Sequence, residues 1–190
     1  MLSWFTAECL SCGQAMSQFL LAGAIVLVVF FTLPWTLPHS WYKSLYYPGG
    51  RPNAFARHLN SGQARLTALG IFPALMVALE TTGRRSGKPC LVQLVAAQVG
   101  TERYLVSMLG ENADWVRNAR ASAGAAVLRH GITEKVRLEE VPVSRRAPIL
   151  KAYLRRAPGA RPHFDLSYHA PLAEFEQVAA RYPVFRIVAE

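Results

Sequence analysis

Arg84, Arg85 and Lys88 fall within one short stretch, TTGRRSGKP (residues 81–89), interleaved with Ser86 and bracketed by Gly83 and Gly87. Glycine reaches backbone angles that other residues avoid, so such a loop turns tightly and exposes its N–H groups. Two guanidinium forks, an ammonium and the Ser86 hydroxyl on that loop suit one kind of partner, a phosphate or a carboxylate. The stretch is not a P-loop, because the G-x-x-x-x-G-K-[ST] spacing is missing and a β-prone segment follows. On these residues alone it serves equally as a solvated hairpin tip that keeps a sheet edge from pairing.

A second set lies in YLVSMLGENADWVRNARA (residues 104–121). It runs from a strand through a Gly-containing turn into a helix, so helix N-terminal amides point at whatever lies over the turn and favour an anionic group there. Trp115, Asn118, Ala119 and Ser122 share one helix face, Arg117 and Arg120 another, and Asn112 is a plausible N-cap. Trp115 taken singly is ordinary core packing. Cys9 and Cys12 form a C-x-x-C pair, but with no second pair and no nearby His they give no reason to expect a metal.

The elements that carry these residues follow from periodicity. A helix is expected over Arg51–Leu69, ending at Gly70. Strands are expected over 75–82, 89–99 and 103–109, separated by GRRSGK and GTE as a meander of hairpins. A helix over Asn112–Ala123, a strand pair around Gly131, helices over 147–156 and 171–182 and a closing strand over 184–189 complete the pattern. Six or so strands with intervening helices and no βαβ alternation predict an α+β chain: a small antiparallel barrel flanked by helices.

Composition sets the partners. A length of 190 residues, 52% hydrophobic, suits one domain with an appendage. With 21 Lys and Arg against 12 Asp and Glu the net charge is +9, which favours an anionic partner. Nucleic acid is not expected, since no recognition motif or aromatic platform accompanies the charge. Residues 1–47 form a tail containing an almost unbroken apolar run, and residues 48–190 the barrel domain. From Cys9 to Tyr42 there is no Asp, Glu, Lys or Arg, and Ala15–Leu37 is long enough for a hydrophobic helix that spans a bilayer. Basic residues from Lys43 onward then place the barrel on the cytoplasmic face of the membrane. A helix buried in a soluble core is the other reading of the run.

LETTGRRSGKP followed by YLVSMLGENADWVRNARASAGAAVLRHG resembles the deazaflavin (coenzyme F420)-dependent nitroreductase and quinone reductase family of actinobacteria. The resemblance extends from about residue 51 to 188. It implies a split β-barrel and F420 as cofactor, with FMN or haem as alternatives. It assigns Arg84, Arg85, Ser86, Gly87 and Lys88 to the phosphate and oligoglutamate tail of the cofactor. Ser107, Trp115 and Asn118 would line the cofactor site, with Met108, Leu109 and Gly110 along the ring edge. The activity implied is hydride transfer from reduced F420 to a quinone or nitro-type acceptor, with room for a homodimer. A non-catalytic membrane-associated cofactor-binding module is the alternative. Two departures stand out. Asp114 precedes the Trp where well-known members carry Pro. The region after the last barrel hairpin offers His163, Tyr168 and His169 rather than a tyrosine cluster, with Tyr153 on the preceding helix. His163 or Tyr153 is therefore the expected proton donor.

Overall fold

A computed structural model describes residues 46–48 and 52–190. The chain divides into two compact units, Met1–Tyr42 and Lys43–Glu190, and the described residues belong to the second. Cys9, Cys12, Arg51 and the run Ala15–Leu37 lie outside the described residues. Among the described residues no helix is long and apolar enough to cross a membrane.

Helix α1 covers Ala54–Ala68, and its first turn is capped by the Asn53 carboxamide, which accepts from the Ala56 N–H at 2.8 Å. Strands β1 (Met76–Thr82), β2 (Pro89–Val99) and β3 (Glu102–Val106) follow as an antiparallel meander. Helix α2 (Asp114–Ala121) leads into the hairpin of β4 (Ala125–His130) and β5 (Ile132–Glu140). Helices α3 (Val143–Arg156) and α4 (Leu172–Val178) precede the last strand, β6 (Val184–Ala189). The six strands close into a barrel in the order β1-β2-β3-β6-β5-β4, the expected architecture.

Period-two alternation sorts the side chains into two cores. On β3, Leu105 joins Val77, Leu79, Leu128, Val136, Leu138 and Phe185 in one cluster. Its neighbours Tyr104 and Val106 join the other, with Ile149, Leu150, Tyr153, Leu154 and Phe175 of α3 and α4. Ala78 on β1 is fully buried although it lies on the face opposite Val77 and Leu79. Its small size lets α1 pack across β1 and β2. Gln93 fastens that helix: its Nε2 donates to the Thr67 hydroxyl at 2.6 Å, and its backbone N–H to the Asn60 side chain at 3.3 Å.

Some expected boundaries move. Strand β3 stops at Val106: the Ser107 N–H still donates in register to the Pro183 carbonyl at 2.9 Å, but proline has no N–H to return the bond. Helix α3 begins at Val143, and Pro148, read from sequence as near its start, lies inside it. The segment after α4 tightens into a single 3-10 turn, Ala179–Arg181.

Gly124 fixes where α2 meets the barrel. Its φ is +85°, and a Cβ there would sit 2.4 Å from the Leu138 carbonyl oxygen, while the Leu138 N–H donates to the Gly124 carbonyl at 2.8 Å. Gly100 has φ +62° with open space around it. Equilibrium denaturation should therefore separate them: Gly124→Ala costs about 3 kcal/mol, backbone strain plus overpacking, and Gly100→Ala about 1 kcal/mol. Equal losses would show that the close approach to Leu138 relaxes freely.

Candidate functional site

The basic stretch is the hairpin joining β1 and β2. The Gly83 N–H donates to the Lys88 carbonyl at 2.9 Å and the Gly87 N–H to the Gly83 carbonyl at 2.8 Å. The Lys88 N–H also donates to Ser86 Oγ at 3.3 Å, so that hydroxyl is folded into the loop. A Cβ at Gly83 would lie 2.7 Å from Ser86 Oγ, so the loop closes this tightly only around glycine. Gly87, at φ +65°, faces open space. A hollow of about 250 Å³ opens at the hairpin base, lined by Thr81, Thr82, Pro89, Val127 and Lys135 among others.

Asn118 on α2 holds this hairpin from beneath. Its Oδ1 accepts from the Arg84 backbone N–H at 3.2 Å and from Arg84 Nη1 at 3.0 Å. Its Nδ2 donates toward the Thr81 hydroxyl at 3.4 Å. Arg84 Nη1 also reaches Asp114 Oδ1 at 3.0 Å. The two stretches that the sequence set apart by some thirty residues thus meet through one buried carboxamide. Arg84 is tied into that contact, not presented to solvent as one of three equal cations. Arg85 and Lys88 are exposed, and among the described residues neither enters an ion pair.

The turn before α2 is equally closed. Ser107 is buried, its hydroxyl donating to the Gly110 carbonyl at 2.7 Å while the Gly110 N–H donates back to the Ser107 carbonyl at 3.2 Å. Gly110 has φ +71°, and the Arg181 carbonyl oxygen lies 3.0 Å from where a Cβ would be. Met108 packs on the outer core and Leu109 on the core inside the barrel. Trp115 is buried edge-on against Phe185, with ring centroids 5.4 Å apart. Asn112 does not cap the helix. Ala113 occupies the N-cap without a side-chain bond, and Asn112 instead accepts from the Arg117 guanidinium.

One support was not legible in the motifs. Arg120 makes a two-pronged contact with Glu140, at 2.8 and 2.7 Å, and also binds Glu111 in the turn. Arg146, 5% exposed, binds the same Glu140 at 3.0 Å and the Val141 carbonyl at 2.8 Å. Hydrogen bonding from Arg120 holds the Glu140 carboxyl below the ordinary carboxylate range, against the opposing effect of burial. These contacts lock the turn and α2 onto the end of β5.

The expected proton donors lie apart from the hairpin. Tyr153 is buried in the outer core, where desolvation pushes its hydroxyl far above the usual phenol range. His163 is buried beside Tyr47, in an edge-on contact of 4.7 Å, and its carbonyl accepts from the Tyr182 hydroxyl at 2.9 Å. Tyr182 follows Arg181, whose carbonyl abuts Gly110, and so links the His163 backbone to the turn. Among the described residues no cluster of His, Cys, Asp and Glu is arranged to hold a metal.

The donor chemistry fits a polyanionic tail. Arg85 and Lys88 are unpaired cations on a loop that is already rigid, and open Gly87 lets a ligand approach the backbone closely. The rigidity rests on Asn118. Removing its carboxamide in Asn118→Ala leaves the Arg84 donors short of a partner and should cost about 1–3 kcal/mol. Asp114→Ala, whose side chain is 83% exposed, should cost less than about 1 kcal/mol. Hydrogen exchange at residues 84–88 should speed up in the first variant and hardly change in the second; equal behaviour would show that Asn118 is not the clamp.

The model of the F420H(2)-dependent quinone reductase family matches residues 56–161, which include the hairpin, the turn and α2. No curated protein is similar enough to match. Among solved structures, an F420-H2 dependent reductase (FDR-A) is 20% identical, with a TM-score of 0.41, covering 60% of this chain and 94% of its own. A conserved hypothetical protein of Mycobacterium tuberculosis is 16% identical, with a TM-score of 0.44, covering 68% of this chain and 79% of its own. A protein of unknown function from Agrobacterium tumefaciens is 14% identical, with a TM-score of 0.47, covering 68% of this chain and 54% of its own. Likenesses this distant say nothing about activity. The family match covers more than half of the chain and gives no support to FMN or haem: the chain belongs to the F420H(2)-dependent quinone reductase family and is an F420-dependent reductase.

Proposed function

We propose that the chain delivers a hydride from reduced F420 to a quinone at the cytoplasmic face of a membrane. The observation that carries the cofactor half of this reading is the hairpin pinned by Asn118, with Arg85 and Lys88 left unpaired at its tip. When bound, F420 supplies the hydride; the protein supplies position and charge. Arg85, Lys88 and the backbone around Gly87 hold the phosphate and glutamate tail. The closed turn of Ser107, Met108, Leu109 and Gly110, backed by Trp115, frames the ring end and keeps its own polar groups satisfied, so little rearrangement accompanies binding.

A quinone needs one proton for each hydride it accepts to become the hydroquinone. His163 is proposed as the source, because imidazole is the side chain suited to proton transfer at neutral pH, whereas desolvation suppresses the acidity of the Tyr153 hydroxyl. The apolar run Ala15–Leu37 is proposed as the anchor that keeps the barrel beside a substrate dissolved in lipid.

Arg85→Ala and Lys88→Ala should each weaken F420 by about 1–3 kcal/mol and make the remaining affinity less salt-dependent, with stability unchanged. For a fragment lacking phosphate and glutamates the losses should shrink. Equal losses for fragment and full cofactor would place the tail elsewhere. His163→Ala should keep F420 affinity but slow quinone reduction and alter its pH profile. Turnover at the wild-type rate across the pH range would remove His163 from the mechanism, and tight F420 binding without any quinone-dependent oxidation of reduced F420 would favour a carrier.

A further inference from the structure

The outer face of α1 and the two loops at its C-terminal end carry apolar side chains that the barrel leaves uncovered. Phe55 is 57% exposed, Leu69 70%, Ile71 66% and Ile132 75%. At the helical repeat Phe55, Leu66 and Leu69 fall within about 60° of one another, on the side away from the buried Ala56, Ala64 and Thr67. The loops meet this stripe directly. The Gly131 N–H donates to the Ala68 carbonyl at 2.9 Å, and a Cβ on Gly70 would lie 3.2 Å from Gly131 Cα. Leu69, Ile71 and Ile132 therefore flank one glycine-to-glycine contact. Isolated exposed apolar side chains are ordinary, but a contiguous set marks a docking surface.

The charge on this face has one sign. No Asp or Glu occurs anywhere from residue 9 to residue 79. On helix α1, His58 and Arg65 lie beside the apolar stripe, whereas Arg57 falls about 160° from Phe55 at the helical repeat. Near Ile132, Arg129 and Arg103 are each paired, with Glu80 and Glu134, so the unbalanced charge is the helix's own. A two-fold contact with a second copy would press these like charges together. An anionic surface would neutralise them.

We propose that this face of the barrel domain rests on an anionic lipid membrane, with Phe55, Leu69, Ile71 and Ile132 in the interface and Arg65, beside His58, against the headgroups. The contact is separate from the anchor proposed at Ala15–Leu37 and does not depend on which acceptor is reduced.

The test uses the full chain with Cys9, Cys12 and Cys90 changed to Ser and one nitroxide label at a time. The labelled variants are Ile71→Cys, Ile132→Cys and, as reference, Glu176→Cys on the exposed side of α4. Oxygen and a water-soluble nickel complex are compared as collision partners, with and without vesicles of phosphatidylcholine and phosphatidylglycerol, and F420 binding is measured on each protein. The expected result is a severalfold rise in the oxygen-to-nickel ratio at 71 and 132, none at 176, and a much smaller rise on phosphatidylcholine alone. Vesicle-bound protein whose labels at 71 and 132 stay as aqueous as that at 176 overturns the proposal and leaves the anchor standing. Spin–spin broadening at 71 and 132 overturns it in favour of a second copy, and an equal rise on neutral vesicles overturns the anionic assignment. A chain that shows the lipid signature but binds no F420 refutes the cofactor reading alone.

Discussion

The end of the barrel that carries the basic hairpin depends on the Asn118 carboxamide. Two donors of Arg84 converge on its one oxygen, and its nitrogen points to Thr81 on the strand that feeds the hairpin. A buried amide left without these partners would cost a sizeable fraction of a domain's net stability, so the contact is strongly specified. Its effect is to turn a glycine-rich loop into an extension of α2. Part of the loop's charge is used up in the process, since Arg84 is also neutralised by Asp114. What remains at the tip is a preorganised pair of cations, which loses less ordering entropy on binding a polyanion than a mobile loop would.

That clamp is only as firm as α2, and three contacts of different character hold α2. Trp115 is buried against Phe185 in the core inside the barrel. The chain leaves the helix through Gly124, which lies against Leu138 of β5. Arg120 ties the helix to Glu140, where the buried Arg146 also binds, and thus to the start of α3. The inner core, the end of β5 and the outer core all converge on one short helix. A substitution deep in either core can therefore move the basic hairpin.

The sequence displayed the barrel because its strands are short, β-prone and separated by Gly-rich turns, and the boundaries of β2 and β6 could be read directly. It also displayed both halves of the candidate site as motifs. It did not display how they meet. Asp114 looked like a departure from the family pattern, and only the structure shows it beside Arg84, a residue thirty positions earlier. Asn112 had the right type and place for a cap, yet its carboxamide is taken by Arg117 and the helix starts at Asp114. Nothing local marks Arg146 as buried, because its partners are a carboxylate on β5 and two backbone carbonyls. Long-range polar pairs of this kind leave no periodic trace, whereas burial does.

The charge of the chain is divided in use: one cluster at the hairpin suits a small polyanion, and the acid-free stretch through α1 suits a surface. The central claim concerns the first, and amide shift mapping of the full chain during an F420 titration tests it most directly. The account predicts that the largest shifts fall together at residues 84–88 and 107–110 and saturate with one midpoint, while those around Ile132 stay small. Shifts centred instead on Tyr153 and the α3–α4 core, with the hairpin silent, would contradict it.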